Sequence, residues 1–136
     1  MATFSEALKD LINSVAGVTA LIGALPTMRY YPVRLPTATT PVYPAITYQS
    51  IDDTSVYAHS GYSGLINIRV QLTIWSKTYA SGELVTAALR AGLNAFVGVV
   101  SGVEFDRIFI EGGITDFEET TQIHQRTLDL LIGYVG

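Results

Sequence analysis

The sequence predicts an α+β domain: an antiparallel or mixed sheet of about four strands, two helices packed on one of its faces, and a long proline-rich arm. Three observations predict it. Residues 66–75 alternate strictly between apolar and polar. Two other segments carry apolar residues at helical spacing. All five prolines lie between Pro26 and Pro44.

The first helix is predicted from Phe4, Leu8, Leu11, Ile12 and Val15, which share one face. Thr3 and Glu6 stand at capping-box spacing, so the hydroxyl and the carboxylate can satisfy each other's backbone N–H groups. Gly17 is expected to end or kink this helix, Val18 to Leu25 reads as a further short helical turn, and Pro26 stops it. Residues 26–44 then form the arm. Proline fixes φ and removes a backbone donor, so this stretch cannot be a central strand, although Arg29–Tyr30–Tyr31 suits a short extended piece. A first strand is expected over Ala45–Ile51, ended by Asp52–Asp53, with Val56–Gly64 as a loop. In the next strand Ile66, Ile68, Val70, Leu72 and Ile74 face the core, and Asn67, Arg69, Gln71, Thr73 and Trp75 face solvent or a partner. A second helix carries Val85, Leu89, Leu93 and Phe96 as its stripe, with Leu84 and Ala88 alongside, capped by Ser76 or Ser81. Strands over Phe105–Glu111 and Gln122–Val135 complete the sheet. Gly112–Gly113 and the acidic group Asp116, Glu118 and Glu119 mark the connection between them.

The 136 residues fit a single domain, 1–136, with no internal repeat. An apolar fraction of 49% provides a core and argues against disorder. The charged fraction is 15%, against about 25% in an average soluble domain. Such a surface suits contact with other protein, although a dense core lowers the same fraction. The net charge is −4, and the eight basic residues are scattered along the chain, so tight binding to nucleic acid is disfavoured. With no cysteine, disulfides and thiolate metal sites are excluded. The N-terminus lacks a secretory pattern and Val15–Leu25 is too short to span a bilayer, so a soluble protein made in a cytoplasm, without membrane contact, is expected.

No reactive constellation emerges. His59 and His124 are the only histidines and have no metal-ligand spacing. Asp52–Asp53 and Glu118–Glu119 are adjacent acids of the kind that face solvent, whereas acid–base work needs a carboxyl in an apolar pocket. No serine sits in a nucleophile elbow. Gly61-Tyr62-Ser63-Gly64 precedes a strand, whereas a phosphate loop must precede a helix N-terminus. No catalytic residue, cofactor or metal is expected. Five of the eight tyrosines, Tyr30, Tyr31, Tyr43, Tyr48 and Tyr57, lie in or near the arm and first strand. A ring with a wet hydroxyl suits a subunit interface, and equally the rim of a small sheet.

One pattern runs through nearly the whole chain. Met28-Arg29-Tyr30-Tyr31-Pro32-Val33-Arg34-Leu35-Pro36 leads to Tyr43-Pro44-Ala45-Ile46-Thr47-Tyr48-Gln49. Then come Ile68 to Trp75, Thr78-Tyr79 entering the second helix, and the apolar strand Leu128 to Tyr134. This resembles the tail-completion, or tail-terminator, proteins of long-tailed bacteriophages, with the arm lengthened here by Thr37 to Val42. The resemblance implies a non-enzymatic virion protein at the head–tail interface. It implies a homo-oligomer, a hexameric ring, that caps the tail tube protein, stops tube growth and meets the head–tail connector proteins. DNA would pass through the lumen without specific binding. A closed ring needs two different complementary surfaces on each subunit. The candidate interface residues are Arg29, Tyr31, Arg34 and Tyr43 on the arm and Arg69, Gln71 and Trp75 on the polar strand face. The alternatives are a connector adaptor, a tail-tube subunit, or a ligand-binding α+β domain unrelated to phage.

Overall fold

The computed structural model describes residues 3–23, 28–33, 42–58, 61–119 and 122–135. Chain order is α1 (Phe4–Asn13), α2 (Ala16–Ile22), β1 (Tyr30–Pro32), β2 (Ala45–Ala58), β3 (Gly61–Ser76), α3 (Tyr79–Leu93), β4 (Gly98–Val100), β5 (Val103–Glu111), β6 (Thr115–Glu118) and β7 (Ile123–Val135). The α+β class is as expected, but the described residues form seven strands and three helices in place of about four and two.

The sheet runs β1-β2-β3-β7-β5-β4, with β6 pairing β7 alongside β5. Only β1–β2 is parallel. Two long central strands, β3 and β7, pair over their shared length from Leu65↔Val135 to Ser76↔His124. Their alternation sets the layers. Ile68, Val70, Leu72 and Ile74 of β3 and Leu128, Leu130 and Ile132 of β7 are buried, and Ile66 is half-buried. They join one core with Leu8, Leu11 and Ile12 of α1, Val18 and Ile22 of α2, and Val85, Leu89 and Leu93 of α3. All three helices therefore cover one face of the sheet, and no described element covers the other.

The capping box at Thr3 and Glu6 is formed, with Glu6 N donating to Thr3 Oγ1 at 3.3 Å and Thr3 N to Glu6 Oε2 at 3.0 Å. The break after α1 falls at Ser14–Val15, two residues before the expected Gly17. Val15 turns extended and begins a second helix. Gly17 instead lies inside α2, where a Cβ would stand 3.3 Å from Ala88 Cβ, so its lack of a side chain serves close packing of α2 on α3. Helix α3 is capped by Thr78, whose hydroxyl accepts from Ser81 N. Neither expected cap, Ser76 or Ser81, takes that place, because Ser76 still belongs to β3 and is buried there. Leu84 is exposed and Phe96 lies beyond the helix end, so the buried stripe is Val85, Leu89 and Leu93.

The additional strands have local causes. β1 falls on the short extended piece expected around Arg29–Tyr30–Tyr31 within the arm, on the sheet edge where Pro32 needs no ladder donor. Of that arm, 26–27 and 34–41 are outside the described residues. β2 does not end at Asp52–Asp53. It passes irregularities between Ser50/Asp52 and Ser55/Tyr57 and continues to Ala58, so the described parts of the expected loop Val56–Gly64, residues 56–58 and 61–64, are strand; His59 and Ser60 lie outside the described residues. Past Tyr48 the strand has no described partner on its β1 side, and Asp52 stands in backbone register with Arg69. The β4–β5 hairpin turns through Ser101 and Gly102, both at positive φ (52° and 83°), as a two-residue turn requires. The acidic connection after Glu111 contains β6, which is joined to β7 by Thr127 N donating to Ile114 O at 2.9 Å.

Candidate functional site

The uncovered sheet face carries the surface features of this molecule. At its centre Asn67 of β3, Gly133 of β7 and Arg107 of β5 stand side by side in register. Gly133 has no Cβ to hold neighbours off: one would lie 3.3 Å from Asn67 Oδ1 and 3.4 Å from Arg107 Cγ. Arg107 accordingly lies across β7, and its Nη2 donates to Asn67 Oδ1 at 2.7 Å. One register step on, Leu131 lies between Arg69 and Phe109, and Phe109 is 51% exposed. Beyond it Arg69 Nη2 donates to Asp129 Oδ2 at 2.8 Å, the one ion pair among the described residues. That carboxylate holds Arg69 above its ordinary pKa. An open cavity of about 390 Å³ is lined here by Asn67, Ile68, Arg69, Arg107, Phe109, Leu131 and Ile132.

Of the sequence-derived candidates, Arg69, Gln71 and Trp75 are brought to this one face by the alternation of β3. Gln71 is half-buried between Gln49 and Asp129 in register. Trp75 is half-buried, and its Nε1 donates to Thr47 Oγ1 at 2.9 Å, which accounts for a threonine buried on this face. The arm candidates sit elsewhere. Arg29 donates from Nε to Pro44 O (2.9 Å) and from Nη2 to Leu21 O (2.6 Å), tying the end of α2 to the start of β2. Tyr31 is half-buried on β1. Tyr43 precedes a cis peptide bond to Pro44, and Lys77 Nζ lies 6.0 Å from its ring centroid. Arg34 is outside the described residues.

Arg107, Phe109 and Leu131 were not among the candidates. Their signal was present: alternation in Phe105–Glu111 places Arg107 and Phe109 on one face. A bulge at Asp106 shifts that phase relative to Phe105, so the face could not be assigned without the register. Among the described residues no group of His, Asp and Glu is arranged to hold a metal ion. None of the described helices is long and apolar enough to cross a membrane.

The cavity lies on the open face of a sheet whose strands β3, β7 and β5 are antiparallel and are tied side chain to side chain by Arg107 and Asn67. The sequence matches the family model described as tail completion protein gp17 over residues 6–134, and the chain belongs to that family. It is a structural protein of the phage virion, located in the tail, and not an enzyme. Among solved structures, it is similar to a chain in the virion of a native gene transfer agent (GTA) particle, with a TM-score of 0.76 and 14% identity over 98% of this chain and 95% of that one. A second solved chain gives a TM-score of 0.54 at 16% identity, with the same coverage of both chains. No curated protein matches the sequence significantly.

Proposed function

We propose that copies of this chain form a ring at the head-proximal end of the tail tube, where the ring stops tube growth and joins the tail to the head connector. The observation that carries this reading is the open sheet face: a preformed surface of about 390 Å³ concavity with an exposed aromatic and two arginines, in a member of the tail completion family. The face is built on strands rather than loops, so docking costs little ordering entropy. The scattered basic residues and net charge of −4 fit a ring through which DNA moves without adhering. Electron microscopy of lysates from a phage lacking this gene tests the reading. Filled heads lying apart from tails of abnormal length are expected. Normal, infectious particles would remove it.

A further inference from the structure

Helix α3 carries no charge at any exposed position. Its only charged residues are Glu83 and Arg90, and both are half-buried. Inward, Val85, Leu89 and Leu93 are buried in the core. Outward, Ala80, Leu84, Ala87 and Ala91 are exposed, with Leu84 at 59%. A surface helix ordinarily turns charged side chains to water, and a helix that is apolar on both its inner and outer faces belongs in an interior. Helix α1 follows the ordinary pattern, with Glu6 exposed and Lys9 and Asp10 half-buried.

The outward residues also have an order. Ala80, Leu84, Ala87 and Ala91 follow one another at intervals of four, three and four residues, the seam of a helix pair. Glu83 and Arg90 flank that seam on one side, and the neutral Ser81 and Ala88 flank it on the other. Two helices packed antiparallel bring like flanks together. Glu83 of each copy then lies opposite Arg90 of the other. Packed parallel, they bring unlike flanks together, and both charges would face only Ser81 or Ala88. The charges are therefore self-complementary in one orientation.

We infer that α3 packs antiparallel on α3 of a second copy of the chain, as a two-fold dimer. Each contact occurs twice, as a two-fold interface requires. Leu84 of each copy falls against Ala87 of the other, and Ala80 against Ala91. The alanines let the helix axes approach to about 8 Å, the near end of the usual range. Neither Glu83 nor Arg90 has an ion-pair partner among the described residues. His124 and Arg126 border the same cleft as Glu83 without coming within ion-pair distance of it. Because α3 lies on the covered side of the sheet, the pairing leaves the open sheet face free. It does not depend on the ring reading.

Sedimentation velocity on the purified chain tests it. The wild type is expected to be dimeric at about 100 µM. Leu84→Lys should be monomeric with an unchanged melting temperature, since Leu84 contributes little to the core. Glu83→Arg and Arg90→Glu should each weaken self-association by roughly tenfold or more, because both cross-pairs become like-charged. An equimolar mixture of those two variants should dimerise about as well as the wild type, one chain supplying two arginines to the shared flank and the other two glutamates. A monomeric wild type, an oligomer that Leu84→Lys leaves intact, or a mixture that associates no better than its components would each overturn the pairing. None of these outcomes bears on the ring reading, which the deletion phage tests separately.

Discussion

Tyr30 is the one tyrosine among the described residues that is both buried and without a partner for its hydroxyl. Its ring stacks on Tyr48 at 5.3 Å and joins the core. Burial, with the nearby Tyr48 as a smaller cause, raises its pKa well above the ordinary value. The unfolded chain therefore ionises first as pH rises. The stability Tyr30 contributes is full below about pH 10 and is lost as pH climbs toward the folded value. Tyr30→Phe is expected to raise stability at pH 7 by about 1 kcal/mol, since a buried unpaired hydroxyl is removed. Its alkaline unfolding limb should be flatter than that of the wild type, as read by urea titrations at several pH values. Val70 is the opposite case. It is fully buried at the centre of β3 against Leu130 and Ser50 in register. Val70→Asp places an unpaired charge in the core and should cost about 4 kcal/mol or more, enough to lose the cooperative melt in circular dichroism.

Among the elements, the β5–β6 junction depends most on one residue. A Cβ at Gly113 would fall 1.4 Å from Thr127 O, so only glycine lets the chain pass this close to β7 and keep the Thr127 N to Ile114 O bond. Gly113→Ala should release β6 and lower stability by about 2 kcal/mol. Hydrogen exchange at the Thr127 amide would report the release, with β3–β7 amides staying protected. The Gly112–Gly113 pair is legible in the sequence as punctuation, but the strand behind it is not. Thr115–Glu118 has two acids in four residues and no apolar alternation, so nothing local distinguishes it from a loop; β7 makes it a strand by offering an unpaired edge. The Ser101–Gly102 turn is different. Ser-Gly between Val100 and Val103 is a hairpin signal available in the sequence, and β4 was missed only because three residues show no period. The edge of β5 is closed by the end of α3, where Asn94 Oδ1 accepts from Ile110 N and Ala95 N donates to Ile108 O. This blunts an edge that would otherwise invite unregulated pairing.

At the scale of the whole molecule, one face of the sheet holds the fold and no described element covers the other. The helices bury the even-numbered side of β3, while Arg69, Gln71 and Trp75 on its odd side contribute little to the core. Substitutions on the two sides should separate cleanly. Arg69→Glu breaks an exposed pair with Asp129, so the melting temperature should stay close to wild type. Particle assembly should fall with it, and normal particles from this variant would exclude Arg69 from the assembly surface.

The sequence by itself determined the class of the domain, the two central strands, the capped first helix, the core stripe of α3 and the family resemblance. These rest on periodicities and short spacings that act within one element. It also placed Arg69, Gln71 and Trp75 on a common face, because side-chain alternation in a strand is local geometry. Tertiary structure decided the number of strands, since β1, β4 and β6 exist only by pairing with a longer neighbour. It decided that Arg107 and Phe109 join Arg69, because a bulge at Asp106 sets their phase and only the register across β7 brings three strands into one cavity. It also gave Arg29 its backbone partners at Leu21 and Pro44, which lie 8 and 15 residues from it in sequence. Contacts of that kind are made by the folded chain and have no period for a sequence to display.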